Sequence, residues 1–589
     1  MKTFLAAVIL LVISSPFVFP QDTQSKTSLQ IIKEAFDAGK ITADEAMDLK
    51  IKILQGEILP EAYRSNVPIK CGFGINAEAH EYSKKHPEKR VRLQKTTMQA
   101  VYNHSFTAET GTKTFRINYD VSGPDAVPSL DINTNSIPDW VEETGLAFER
   151  SYLLEVDTMG YREPLSFAAF GYYEVSILDL DNYYGVTYAL EPAITNNPDT
   201  YASNIEIEND FSEGFATHGY DALRVTAGHE FFHAIQFSYN FRASDTWYYE
   251  LSSTWMEDVT YDEVNDYYAY LPGYFNSPNI SLDQTDGYSA AHWNLMIEKK
   301  YGRNAIRKSW EFMTSRDAIT SIDDAIKDAS GSSSNLSRNF SEFTIWNYYT
   351  AGRADSINYF PEGSYYPKIK LTTNRSIVDM STNKKQIPIL AANYHSFFVE
   401  DTTNCVVKLD SLQSINYFDV ITIEHNKSSG KNFFLNRGSS SKVEINNLLE
   451  GDTLSIIIVN KLITYNPANN YNYSIKLSIL HDVTSTDPIS NFHYYPSPFV
   501  IKTGLERLNF KFELGLPSEI EFKIYTISGK LMRSINYGLQ EINKYGGALG
   551  PYIQWDGKDS KGNTVPSGIY IYQFQGKGFK KTGKIAVVR

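Results

Sequence analysis

Residues 225–237 read VTAGHEFFHAIQF and set His229, Glu230 and His233 inside an apolar run. Histidine is scarce in this chain, 11 in 589 residues, yet two stand four apart with an acid beside the first. On a helix, side chains at i and i+4 leave from one face, so both imidazoles can reach a single ion. No Gly or Pro interrupts the stretch from His229 to Gln236, so a helix is expected there. The adjacent acid then points at a water on the ion rather than at the ion, and can act as general base. The H-E-x-x-H pattern thus predicts zinc on His229 and His233 with Glu230 activating water; the bland alternative is two histidines packed in a helix. Zinc needs a third protein ligand, and WYYELSSTWMEDVTYDE offers Glu250 and Glu257 on a further predicted helix.

The segment Glu250-Leu-Ser-Ser-Thr-Trp-Met-Glu257 resembles the one that follows H-E-x-x-H in gluzincin metallopeptidases of the thermolysin and aminopeptidase-N type. That resemblance implies Glu250 as third zinc ligand and Glu257 as an acid orienting a ligand histidine. No G-A-M-E-N-type segment is present, so the amino-terminal anchoring of aminopeptidases is not implied. The wider stretch from about Phe115 to Trp310 is similar to a bacterial family of secreted metalloproteases with a gluzincin-like core. The residues that carry this are FRINYDVSGPDAVPSLDINTNSIPDWVEE, VTAGHEFFHAIQF, WYYELSSTWMED with VNDYYAYL, and GYSAAHW. The likeness implies that the alternating run SNIEIEND (203–210) is the substrate-aligning edge strand, where an extended peptide adds as a strand. It also implies an oxyanion donor, for which Tyr288 is the candidate and His292 the alternative.

The chain's length points to several units, three to five on ordinary domain sizes. Its 41 Tyr and 33 Phe suit β-rich extracellular architecture, and its net charge of −14 argues against a nucleic-acid partner. Lys2 followed by an apolar run to about Phe19 predicts a secretory signal over 1–20, hence a secreted or cell-surface protein without a transmembrane span once it is removed. Residues 21–110 read as a helical propeptide and linker, with a small fixed subdomain as the alternative. Leu29, Ile32 and Phe36 recur at helical spacing, Thr42 and Glu45 form a capping box, and a basic run from Glu81 to Lys95 is expected to be open to proteases.

Within that propeptide, Pro68-Ile69-Lys70-Cys71-Gly72 resembles the cysteine-switch segment of matrix metalloproteinases, P-R-C-G, with lysine for arginine and an extra residue after the proline. The likeness implies that Cys71 could occupy the water position on zinc and hold the enzyme latent. A disulfide to Cys405, the chain's other cysteine, and a free buried thiol are the alternatives.

Residues 111–358 read as α+β, and the gluzincin likeness implies that they form a zincin-like metallopeptidase domain. Within it, Asp131, Asn133, Asn135, Ile137, Asp139 and Glu142 fall at positions 1, 3, 5, 7, 9 and 12 of a calcium-type loop, with Ser136 where glycine is usual. An Asx-rich turn capping the next helix is the alternative. Residues 359–482 alternate as a β-sandwich, with HSFFVE, VVKLDSL and SIIIVN as strands. The final unit, 483–589, contains YPSPF, IYTISGKLMR and WDGKDSKGNTVPSGIYIYQF. It resembles Ig-like C-terminal domains of the flagellar-hook-capping type and type IX secretion sorting domains, which implies an export or attachment partner. The expected activity is a zinc endopeptidase acting on protein or peptide, made as a zymogen. A cell-surface adhesion protein on a zincin-like scaffold, or a zinc amidase with a non-protein substrate, are the alternatives.

Overall fold

In a computed structural model, the chain is described over residues 26–86, 98–180, 183–190, 199–212, 214–411, 415–466, 471–480, 489–504, 506–514, 518–540, 543–545 and 553–589. The expected signal and most of the basic run lie outside these residues. The fold is mixed α+β, with several β-sheets in the C-terminal half.

The N-terminal helices α1 (Ser28–Asp37) and α2 (Ala43–Leu54) each open on a complete capping box, from Thr27 with Gln30 and from Thr42 with Glu45. After them come strand β1 (Ile69–Cys71) and helix α3 (Phe73–Lys85). The first residues of the expected linker are therefore the last turn of α3. A hairpin of β2 (Ala100–Ala108) and β3 (Gly111–Tyr119) follows, so β2 falls in the span expected to be linker. Helix α4 (Asp139–Tyr152) and the short α5 (Leu165–Phe170) lead to strands β4 (Tyr173–Leu178), β5 (Tyr183–Leu190) and β6 (Ala202–Glu208).

These strands form one six-stranded sheet in the order β1-β5-β6-β4-β3-β2. β4 runs parallel to both β3 and β6, whereas β5 is antiparallel to β6. This corrects the expectation for SNIEIEND. β6 lies inside the sheet with every residue buried, and the strand beyond it is β5. Alternation cannot separate the two cases, because a strand covered on both faces hides its polar side chains as well. β1 adds to the free side of β5 in parallel, with Cys71 opposite Gly185.

The N-terminal unit is seated on this edge by apolar packing. Ile32, Leu49, Ile53, Leu54 and Ile69 share a cluster with Leu178, Tyr183, Val186 and Tyr188. At Gly72 the packing leaves no room for a side chain, since a Cβ would stand 2.8 Å from Leu54 Cδ2 and 2.9 Å from Val186 Cβ.

Helix α6 (Gly219–Tyr239) lies against β5 and β6 and is buried almost throughout from Ala222, and α7 (Thr246–Thr260) packs on α6. Further helices run to Tyr348. Beyond them, two five-stranded sheets enclose a core that includes Phe397, Ile456, Val407 and Leu477. One of them is also covered on its outer face: Tyr394, Ile421 and Val459 pack into the core of the preceding helical region. The unbroken apolar run SIIIVN reflects that double burial. The last residues form another pair of facing sheets around Phe510, Phe522, Trp555 and Phe574.

Candidate metal centre

The site is assembled from two helices and one added strand. His229 and His233 stand one turn apart on α6, and Glu250 and Glu257 stand two turns apart on α7, so each pair shares a face. His229 Nε2 and His233 Nε2 are 3.1 Å apart, and each lies 3.2 Å from Glu250 Oε2. Cys71 Sγ completes a buried group of four side chains whose ligand atoms all lie within 4.8 Å of one another. This group could hold a metal ion.

The outer contacts fix how the imidazoles face. His229 Nδ1 lies 2.6 Å from Glu257 Oε1, and a carboxylate oxygen accepts, so Nδ1 carries the proton. His233 Nδ1 donates to Gln236 Oε1 at 2.7 Å, while the Gln236 amide donates to Tyr249 O and Ser253 Oγ. Phe73 stacks flat on the His233 ring at 3.9 Å between centroids. Both Nε2 lone pairs are thereby turned toward Glu250.

Three electron-rich atoms about 3 Å apart and out of water could hold a cation between them. Atoms ligating zinc tetrahedrally through ~2.0–2.1 Å bonds stand ~3.3 Å apart, close to the spacing here, and N, N, O, S is a zinc-type donor set. Glu250 Oε1 is buried without a hydrogen-bond partner, which also suits a ligating carboxylate. In the metal-free protein a proton serves instead. Burial opposes charging His229, but hydrogen bonds to Glu250 and Glu257 outweigh it and raise its pKa to about 9. Burial likewise opposes ionising Glu250, yet His233 and His229 hold its pKa down at about 2.

Glu230 lies just outside the ligand set. Its Oε1 accepts from Cys71 Sγ at 3.0 Å, and its Oε2 accepts from Thr187 Oγ1 at 2.7 Å. Burial, Glu230 and Glu250 push the Cys71 thiol's pKa well up, so without a cation it stays a neutral donor. Tyr288 reaches the same place, its hydroxyl donating to the main-chain oxygen of Cys71 at 3.4 Å. Gly287 makes this possible at φ 85°, pressed so close to α7 that a Cβ would stand 2.6 Å from Glu250 Cβ.

Lys70, next to the thiol, is 3% exposed. Its ammonium bonds the second oxygen of Glu257 at 3.0 Å and pairs with Asp266. Burial would lower its pKa, but Asp266 and Glu257 raise it instead. Lys70 figured in the sequence only as a substitute for arginine, and Asp266, Thr187, Gln236 and Phe73 were missed. Asp266 lies inside VNDYYAYL, so its place in a family-like segment was the available signal.

The remaining candidates lie elsewhere. The rings next to His292 are those of Tyr274, Phe275, Phe343, Phe360 and Tyr366, and burial drives its pKa down to about 3, so it is a core residue rather than an oxyanion donor. Cys71 and Cys405 are both buried and free, so the disulfide alternative falls. In the calcium-type loop, Asp139 accepts from Ile132 N, Asp131 accepts from Asn135 N and Ser136 N, and Asn135 Oδ1 accepts from Ile137 N. Glu142 takes the side-chain amides of Asn133 and Asn135. Such bonds belong both to an Asx-rich turn leading into α4 and to a calcium-type loop. Among the described residues, the group of acids, histidines and cysteines that converges on one point is the Cys71 group.

No family model matches the chain, and none of the curated proteins matches it. Parts of it are similar to solved structures. PorZ, a surface component of the type-IX secretion system of Porphyromonas gingivalis, is 20% identical over 17% of this chain and 12% of its own, with a TM-score of 0.13. Dimeric latent PorU from the same organism is 16% identical over 32% of this chain and 18% of its own, TM-score 0.14. FlgD from P. aeruginosa is 20% identical over 17% of this chain and 74% of its own, TM-score 0.12. The chain thus spans less than a fifth of PorZ and PorU, and at these TM-scores the likeness is local and assigns no function. Among the described residues no helix is long and apolar enough to cross a membrane.

Proposed function

We propose that the protein is a zinc-dependent peptidase on a zincin-like core, held latent by its own N-terminal segment. The observation that carries this is the meeting of His229, His233, Glu250 and Cys71 with the carboxylate of Glu230 beside them. Zinc bound there would supply Lewis acidity and lower the pKa of a water toward ~7. A catalytic zinc site keeps one position open, and with zinc bound Cys71 would take the fourth and block it.

Once the thiol withdraws, Glu230 keeps its bond to Thr187 and its freed oxygen faces the vacated space. It is then oriented to take a proton from a water and pass it to a leaving amine. Tyr288 already donates to a peptide carbonyl, that of Cys71, so a substrate carbonyl in the same position would receive the same hydrogen bond. β5, relieved of β1, offers an unpaired edge to an extended peptide. Export and attachment through the last unit belong to the same proposal.

Purified protein lacking residues 1–20 tests this, with wild type beside Glu230→Gln, before and after limited trypsin. One zinc per chain, with casein cleavage that needs Glu230 and rises after trypsin, is the expected result. Zinc without cleavage of any peptide would favour adhesion or a non-peptide amide, and absence of zinc would overturn the site.

A further inference from the structure

Lys70 occupies a pocket that nothing in its own segment requires. Alternation along β1 sends Cys71 to the metal position and Lys70 into a hole walled by α7 and the segment after it. The end of that hole is anionic, since Glu257 and Asp266 are 1% and 3% exposed and both meet the ammonium. Its sides are aromatic: the ammonium lies 4.6 Å from the Tyr184 ring centroid and 5.2 Å from that of Tyr270. Thr217 donates to the other oxygen of Asp266, and Tyr184 is pinned by the Ala216 amide at 2.7 Å.

We propose that this pocket, once the N-terminal segment leaves, is a substrate subsite selective for lysine and arginine. The inference rests on the peptidase reading and names its substrate class. A chain replacing β1 on β5 with one residue at the metal places a neighbouring side chain where Lys70 now lies. Removing one partner of a buried ion pair leaves an uncompensated charge, a strongly unfavourable state. Glu257 is partly matched by His229, but Asp266 has Lys70 and a neutral hydroxyl. An ammonium or guanidinium restores the pairing and the aromatic contacts, whereas an apolar or acidic side chain does neither. The latch is accordingly built from the side chain the pocket selects.

The first test needs neither metal nor activity. In the full chain, Lys70→Ala opens the pocket, and n-propylammonium or methylguanidinium chloride is added against sodium chloride at equal ionic strength. The variant is expected to melt several degrees below wild type and to regain part of that with either cation, while Lys70→Ala/Asp266→Asn does not respond. An unresponsive Lys70→Ala overturns the proposal. Should that variant not fold, wild-type protein cut by limited trypsin, with the trypsin then inhibited and the N-terminal fragment diluted away, carries the test through a peptide library. Cleavage is expected to favour Lys or Arg at one fixed position beside the scissile bond at least tenfold, with Asp266→Asn bringing that ratio toward parity. Cleavage without a basic preference overturns the subsite and leaves the peptidase standing. Cation rescue with no cleavage of any peptide removes the peptidase reading, and the substrate role of the pocket with it.

Discussion

Gly185 faces Glu230 with no space for a side chain between them: a Cβ there would stand 2.8 Å from Glu230 Cγ and 3.0 Å from its Oε1. The strand that would align a peptide is thus notched opposite the residue that would move the proton. Gly185→Ala must push Glu230 or β5 aside, and a displacement of ~1 Å near reacting groups costs up to ~100-fold in rate. The expected outcome is kcat/KM lowered by about one to two orders of magnitude with zinc content unchanged, measured on the trypsin-treated enzyme.

Glu230→Gln keeps the size of the side chain and the Thr187 contact but cannot take a proton. Hydrolysis is expected to fall ~10²–10⁴-fold while zinc stoichiometry and melting behaviour stay near wild type. Loss of zinc along with activity would assign Glu230 to the ligand set instead.

Glu257 joins the metal position to Lys70, one oxygen to His229 Nδ1 and the other to the ammonium. Glu257→Gln weakens the acceptor that keeps His229 Nε2 turned to the ion, so zinc affinity should drop ~10–100-fold, read by chelator competition. Glu250→Ala removes a ligand outright and should cost more.

Cys71→Ala opens the fourth position without cutting the chain. Caseinolytic activity before trypsin is expected to exceed that of untreated wild type several-fold. Activity as low as wild type would show that the thiol is not what blocks the site.

Glu208, at the end of β6, makes stability fall as pH rises. Burial raises its pKa from 4.5 to about 8, against the opposing bond from the Leu180 amide. Between those values the folded protein holds a proton that the unfolded chain has released, so unfolding gains from rising pH across that window and the loss is complete above about 8. Glu208→Gln should flatten the melting temperature between pH 5 and 8 by about a few degrees relative to wild type, followed by calorimetry.

The parts of the site legible in the sequence were the parts fixed by local geometry. His229 with His233, and Glu250 with Glu257, are helix-face spacings that survive any tertiary arrangement. Tyr288 and Cys71 came from the likeness to known families, and both lie at the cluster. What stayed hidden depends on long-range pairing. Both β5 and β6 look like strands, and only the sheet order shows which has the open side. Lys70 meets Asp266 across 196 positions of sequence, and no periodicity near either residue announces the partner. His292 misled because a histidine in an aromatic core and a histidine at a site are spelled alike.

The N-terminal unit, bound through Ile32, Leu54, Ile69, Lys70 and Cys71, is held to the rest by contacts that a cut in the basic run would leave intact. Before such a cut it is tethered, at an effective concentration of order millimolar. Afterwards, on the proposed function, it would become a separate peptide inhibitor with a dissociation constant and an off-rate of its own. Onset of activity would then lag behind cleavage and would sharpen on dilution, and the freed fragment, added back, would silence other copies of the enzyme.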